Sequence, residues 1–426
     1  MKKRVEAILQ EVLEKINPPK EELDIIKNSL EEFLEKFRKS LKSLRINAEI
    51  FVGGSFAKNT LIKKNYYDID IFIRFDKKYK DKEISDLTEK ALKEFKNFSK
   101  IHGSRDYFRI DIGPSFFIEL IPVIKIKNQK EAVNITDLSY SHVRYIKKKL
   151  KSKQILDEIK LAKAFCYANQ SYGAESYING FSGYALELLI LHYGGFLKFV
   201  KAMSKAEDKL VIDIEKHYKN KSQVMMDVNS SKLKSPIILI DPTYKQRNAL
   251  AALSTETLKK FQKNCKKFLT NPDIKAFEIE KIDLEKIKNN AKRKKYEFIL
   301  IMAETNKQPG DVAGSKLLKF HKHFVYEMEK FFDIKDKGFD YGGKKVAEYF
   351  FVVKNKKEII FSGPTVKDKQ NLSIFKKKHK NIYIKNRRAY SKKKIKFNIK
   401  EFVKNWKNKN EKKLKEMQIS KLKIIE

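Results

Sequence analysis

Gly54-Ser55, twelve intervening residues, then Asp68-Ile69-Asp70 at the head of an apolar run to Phe75: this segment constrains the chain more than any other. Side chains alternate along a strand, so aspartates at i and i+2 share one face and their carboxylates lie a few ångströms apart. Two like charges that close oppose folding unless a cation lies between them. The spacing predicts a strand with one buried face and one acidic face, fed by a glycine turn. Ile50-Phe51-Val52, ahead of Gly53-Gly54-Ser55, reads as a neighbouring strand. Phe108 to Ile112 and Phe116 to Ile124, joined through Gly113-Pro114-Ser115, read as a hairpin. Helical stretches alternate with these strands, so 46–135 is a mixed α/β unit.

The acids suggest a chemistry. Magnesium takes hard oxygen ligands, keeps several waters and shares its coordination with substrate phosphate. A third carboxylate on a neighbouring strand completes a two-metal site, where one ion activates the attacking hydroxyl and the other holds a triphosphate. Glu119, in Phe117-Ile118-Glu119-Leu120-Ile121-Pro122, is the candidate, because an acid inside an apolar strand is costly without a partner. Gly54 and Ser55 have a separate role: glycine lets the backbone approach phosphate, and a short helix after it offers N–H groups.

The flanks are longer and mostly helical. Leu23, Ile26, Leu30, Phe33, Leu34, Phe37 and Leu41 form one stripe, after an interruption at Asn17-Pro18-Pro19. Helices are expected over 143–150, 155–168, 184–200 and 255–269, with a short strand over 237–240. Beyond a basic linker near 289–295, a new α/β pattern runs through strand 298–302, helix 316–332, strand 346–353, helix 372–379 and strands near 382–384 and 388–397. A prior of ~100–200 residues per domain is met by three units, 1–140, 141–275 and 276–426. The expected class is α+β.

Charge narrows the partners. The 426 residues carry 94 Lys and Arg against 54 Asp and Glu, a formal +40, which points to a polyanion. Of the basic residues 83 are Lys and 11 Arg, so part of the excess is compositional. Thirty Phe and 19 Tyr are enough to build cores, which excludes a disordered basic tail. No apolar run approaches the ~18–20 residues of a membrane span. The first residues lack the apolar core of a signal peptide, and Cys166 and Cys265, far apart in sequence, cannot make a zinc site alone. A cytoplasmic, reduced protein is expected.

The Gly-Ser-x12-Asp-x-Asp pattern resembles the polymerase-beta-type nucleotidyltransferase superfamily. Leu161 to Phe165, Ser171-Tyr172-Gly173-Ala174-Glu175 and Gly180-Phe181-Ser182-Gly183 to Leu189 narrow the resemblance to the archaeal (class I) CCA-adding enzymes, or tRNA nucleotidyltransferases. Asp241-Pro242 with Arg247 to Ala251, Gly310-Asp311 to Gly314, and Ser362-Gly363-Pro364 ahead of Phe375 and Arg387-Arg388 are similar to the same family. The likeness covers nearly the whole chain and is most specific in the Gly-Phe-Ser-Gly block.

The resemblance implies a polymerase-beta-like catalytic head, a mostly helical central domain and an α/β C-terminal RNA-binding domain. It assigns Asp68, Asp70 and Glu119 to two Mg2+ ions, and Ser55 and Lys58 to nucleotide phosphates. His142, Lys163 and Tyr172 match further nucleotide-contacting positions, and Arg247 one that helps select the base. Three departures stand out. Glu119 replaces a usual Asp, Arg105-Asp106-Tyr107 replaces a His-Pro-Tyr segment near the base, and Ser139 stands where Thr is more usual. The implied activity is addition or repair of the tRNA 3′-terminal CCA from CTP and ATP. The implied partner is tRNA, gripped at its acceptor stem and elbow, with the enzyme a homodimer and no membrane involved. A poly(A)- or oligoadenylate-type polymerase and a tRNA-binding relative without catalysis are the alternatives.

Overall fold

The computed structural model describes residues 2–426 apart from Pro114, Lys151 and Lys281, so the expected turn residue Pro114 lies outside the described residues. The chain divides into two compact units, 1–280 and 281–426.

The first unit begins with α1 (Lys2–Ile16) and α2 (Lys20–Ser43), separated at the Pro18-Pro19 interruption. Then come β1 (Ala48–Val52), the single turn α3 (Gly54–Ala57), β2 (Tyr67–Phe75), α4 (Asp81–Ala91), β3 (Phe98–Ile101), β4 (Tyr107–Asp111) and β5 (Phe116–Ile124). The five strands form one sheet in the order β1-β2-β5-β4-β3. Only β2 and β5 are parallel. Alternation decides which face is which. Tyr67, Ile69, Ile71, Ile73 and Phe75 of β2, with Phe116, Ile118 and Leu120 of β5, face the core, and the α2 stripe Ile26 to Leu41 covers them. Asp68, Asp70 and Glu119 are thereby turned to the opposite face.

The same unit continues with α5 (Ser139–Lys149), α6 (Lys153–Ala168), α7 (Gly183–Tyr193), α8 (Phe196–Met203), β6 (Leu210–Asp213), α9 (Lys221–Asp227), β7 (Ile237–Asp241), β8 (Tyr244–Asn248) and α10 (Thr255–Thr270). A second core gathers here around Phe165, Phe181, Phe196, Phe199, Phe261 and Phe268, and both cysteines lie in it as free thiols. Helix α1 contributes Leu9 and Val12 to this core, although in sequence it precedes the sheet. The helix expected over 184–200 is broken into α7 and α8. Gly194 (φ +72°) and Gly195 (φ +132°) take up a backbone that other residues resist, and α7 ends there.

The second unit contains α11 (Leu284–Arg293), β9 (Glu297–Glu304), α12 (Asp311–Glu329), β10 (Phe332–Tyr341), β11 (Val346–Asn355), β12 (Glu358–Thr365), α13 (Lys369–Lys378), β13 (Ile382–Lys385), β14 (Arg388–Lys394), α14 (Ile399–Lys409), α15 (Glu411–Glu416) and β15 (Lys421–Ile424). Its sheets are ordered β10-β11-β9-β15 and β12-β14-β13. The helix expected to reach Phe332 stops at Glu329, and Phe332 instead opens an edge strand. In β12, a Cβ on Gly363 would meet the Phe375 ring at 2.8 Å, which explains why Gly363 and Phe375 occur together.

One buried residue makes this unit sensitive to acid. His321 on α12 stacks on Phe351 with ring centroids 5.4 Å apart, and its Nε2 has no hydrogen-bond partner among the described residues. Burial holds its pKa down at about 4, against 6.5 for an ordinary imidazole. The fold keeps it neutral while the unfolded chain gains a proton below about 6.5. Stability present above that pH is therefore lost on acidification, by ~2 kcal/mol between pH 7 and pH 5. His321→Phe is expected to flatten that loss. Trp406, the chain's one tryptophan, packs against Phe320 and Phe324 in the same core, so its fluorescence in a denaturant titration reads the effect. Equal pH slopes in variant and wild type would contradict it.

Candidate active site

Parallel pairing of β2 with β5 puts Asp70 directly opposite Glu119, and Asp68 opposite Phe117. Three carboxylates thus stand on the open face of two adjacent strands. Burial first, then the charge of Asp68, push the Asp70 carboxyl up to about 7. Glu119 rises to about 8, from burial and then from Asp70 and Asp68. Arg109 of β4, paired with Glu119 in register, works against that rise. Among the described residues no three His, Cys, Asp or Glu side chains form a ready-made metal cage. The donor set is nevertheless all hard oxygen and mutually repelling, which suits a cation completed by waters and phosphate oxygens rather than by protein alone.

The glycine turn is fitted to these acids. The Gly53 N–H donates to the Asp70 carbonyl at 2.9 Å. Gly54 has φ +60°, and a Cβ there would fall 1.7 Å from Asp70 Oδ2. Only a residue without a side chain lets the turn lie against that carboxylate. Ser55 follows inside α3, and the backbone doubles back through the Thr60 N–H to the Ser55 carbonyl, 3.0 Å.

Lys58 and Lys163 meet on a residue that sequence reasoning passed over. Glu187 of α7 is fully buried and accepts from Lys58 Nζ at 2.6 Å and Lys163 Nζ at 3.2 Å. Thr60 joins them, its hydroxyl donating to Glu187 at 3.2 Å and accepting from Lys163 at 2.8 Å. Burial, and then the nearby Lys58 charge, hold Lys163 down at about 8 in spite of Glu187. Both lysines are close enough to act electrostatically on Asp70.

His142 and Arg247 converge on another missed carboxylate, Asp241, at the end of β7. Asp241 Oδ2 accepts from His142 Nε2 at 2.9 Å and Arg247 Nη1 at 2.7 Å. Its Oδ1 takes the Tyr184 hydroxyl at 2.9 Å and the Thr243 N–H and hydroxyl. Burial opposes ionisation of Asp241, but His142 and Arg247 hold it well below the usual carboxylate range. Burial also keeps His142 below its ordinary value, and its ring stacks on Tyr184 at 4.1 Å. A neutral His142 therefore donates from Nε2 and presents Nδ1 as an acceptor.

Tyr172 stacks on Tyr167 at 4.2 Å. The Tyr167 ring lies 5.1 Å from Lys64 Nζ, which in turn donates to Asp68 at 3.1 Å. Ser139 opens α5, three residues before His142. Arg105, from the segment that departs from His-Pro-Tyr, has its guanidinium taken up by the fold: it pairs with Asp81 and Asp137 and donates to the Pro122 carbonyl at 3.3 Å. It serves there as a buried clamp.

Comparison with known proteins gives the family. The nucleotidyltransferase domain family matches residues 34–161, and the second domain of tRNA nucleotidyltransferases matches 157–278. A CCA-adding enzyme of Nanoarchaeum equitans is 36% identical over 318 residues, 74% of this chain and 75% of that protein. The chain belongs to the archaeal CCA-adding enzyme family. Another member, from Methanocaldococcus jannaschii, is 28% identical over 400 residues, 91% of this chain and 87% of its own. Among solved structures, the Cid1 poly(U) polymerase bound to MgATP covers 64% of this chain and 98% of its own at 15% identity and TM-score 0.51, a likeness of fold alone. As a member of the polymerase-beta-type superfamily, this CCA-adding-family chain is a template-independent nucleotidyltransferase. Among its described residues no helix is long and apolar enough to cross a membrane.

Proposed function

We propose that this chain adds or repairs the 3′-terminal CCA of tRNA from CTP and ATP, releasing pyrophosphate at each addition. The observation that carries this reading is the acidic face: Asp68, Asp70 and Glu119 gathered on paired strands, with the Gly54 turn seated on Asp70, in a chain of this family. Asp68, Asp70 and Glu119 would hold two Mg2+ ions, which when bound make the terminal ribose hydroxyl a better nucleophile and neutralise the triphosphate. Glu119, one methylene longer than Asp, stands in register with Asp70 on the paired strand, which supports its place in that set.

The remaining groups bind and orient. Gly54 and Ser55 bring backbone close to the phosphates, and Lys58 and Lys163 supply positive charge beside them. Tyr172 and Ser139 hold the nucleotide further along, and His142 and Arg247, both fixed by Asp241, face the base. Such positioning and charge stabilisation account for most of the acceleration in phosphoryl transfer. Residues 281–426 hold 41 Lys and Arg against 17 Asp and Glu, so most of the positive excess lies in the second unit. That unit grips the acceptor stem and elbow through phosphate contacts, reading A-form shape. The enzyme works in the cytoplasm as a homodimer.

Arg247 tests the reading. Asp241 engages its Nη1, and among the described residues its other donors are left for acceptors on a base edge. Losing a charged hydrogen bond costs ~1.5–3 kcal/mol, so Arg247→Ala is expected to blur discrimination among CTP, ATP, GTP and UTP by ~10–100-fold, with metal dependence kept. Arg247→Lys should rescue little, because a point charge does not reproduce the planar fork. Single-nucleotide incorporation with each triphosphate measures this. Unchanged preference would reduce Arg247 to a loop anchor.

A further inference from the structure

Lys58, Lys163 and Glu187 form a buried cluster in which a single carboxylate serves two amines. Glu187 is 0% exposed, Lys163 3% and Lys58 8%, and each lysine amine rests on a different oxygen of the one carboxylate. Thr60 ties the group to the turn after α3: its hydroxyl lies between Lys163 and Glu187, and its carbonyl accepts from Lys163 at 3.1 Å. One carboxylate thus serves two amines, and both amines also act on Asp70 beside the glycine turn. Burying three charged groups together is costly, and an apolar or singly paired arrangement would hold these elements together at least as well. An arrangement that fixes two amines next to the acidic face suits an incoming polyanion rather than packing alone.

We infer that Glu187 is a positioning residue for the triphosphate: it holds the Lys58 and Lys163 amines on its two oxygens, from three separate elements, so that the arriving phosphates meet the charge of both at once. Glu187 itself touches no substrate, since Lys58, Lys163 and Thr60 occupy its carboxylate. The inference rests on the proposed role of the two lysines. It implies that Glu187 governs affinity for phosphate chains irrespective of the base, whereas Asp241 and Arg247 govern the base.

The test is binding of inorganic tripolyphosphate, and of each of the four nucleoside triphosphates, to the full chain by calorimetry in the presence of Mg2+. Glu187→Gln keeps the shape and removes the charge. It is expected to weaken tripolyphosphate and all four nucleotides by the same factor, at least tenfold, with tRNA affinity unchanged. Glu187→Asp, which restores the charge one methylene short, should recover part of the loss. Thr60→Val removes the hydroxyl between Lys163 and Glu187 without changing charge. It should give a smaller, equally base-independent weakening, and it carries the test if Glu187→Gln does not fold. A folded Glu187→Gln or Thr60→Val protein that binds tripolyphosphate as wild type does, or a loss that differs among the bases, would overturn the inference. If Lys163→Met also left tripolyphosphate binding unchanged, the assignment of the lysines to the phosphates would fall, and this inference with it.

Discussion

Asp70→Asn is expected to lower nucleotide addition by at least a thousandfold, about 4 kcal/mol of barrier, while tRNA affinity stays within twofold. Asp70 stands opposite Glu119, two residues from Asp68 on the same strand face and under the glycine turn, so any ion shared by these carboxylates and the triphosphate depends on it. The variant should also melt a few degrees higher than wild type at pH 8 in the absence of divalent metal. Burial and the Asp68 charge push the Asp70 carboxyl up to about 7, so the metal-free fold is destabilised by ionising it. Loss of activity with a gain in stability marks a group kept for chemistry rather than for packing. Turnover above about a tenth of wild type, a change of only ~1.4 kcal/mol, would contradict the assignment.

Gly54→Ala is expected to be nearly as damaging, through geometry rather than charge. The added Cβ would lie 1.7 Å from Asp70 Oδ2, closer than any non-bonded contact allows, and the φ of +60° disfavours alanine. The turn must lift or Asp70 must rotate away, and displacement of a reacting geometry by an ångström costs ~100-fold. The left-handed backbone adds ~1–2 kcal/mol of instability. Activity assays paired with a thermal melt read both effects. A folded variant within threefold of wild-type turnover would show that the glycine turn does not set the position of Asp70. Gly310, by contrast, has a positive φ but open space around its Cβ direction, so an added methyl there meets only backbone strain.

Local patterns were legible in the sequence and distant partnerships were not. The Asp68/Asp70 face, Glu119 and the α2 stripe follow from strand alternation and helical spacing, which act within a few residues. Glu187 and Asp241 are hubs because of partners 129 and 99 residues away, and no periodicity reports that. A signal for Glu187 was present all the same: an acid inside Leu186-Glu187-Leu188-Leu189 carries the same burial cost that singles out Glu119. The break at Gly194-Gly195 was hidden because α7 is apolar on all sides, so its pattern has no face to lose at the turn. In the second unit, edge strands β10 and β15 alternate with charged residues, and their Lys and Asp disguise them as loops. The resemblance marks Arg105-Asp106-Tyr107 as a departure from the family pattern, and the pairing of the Arg105 guanidinium with Asp81 and Asp137 is visible only once the chain is folded.

These residues are proposed to extend the tRNA 3′ end by C, C and A. The measurement that decides it is incorporation of each of the four triphosphates by the full chain, with Mg2+, onto tRNA ending before the CCA, after one C and after two Cs. The expected result is C, then C, then A, followed by arrest, with one pyrophosphate released per addition and none when the metal is chelated. Runs of A or U on any RNA 3′ end, or tRNA bound tightly with no nucleotide added, would contradict it.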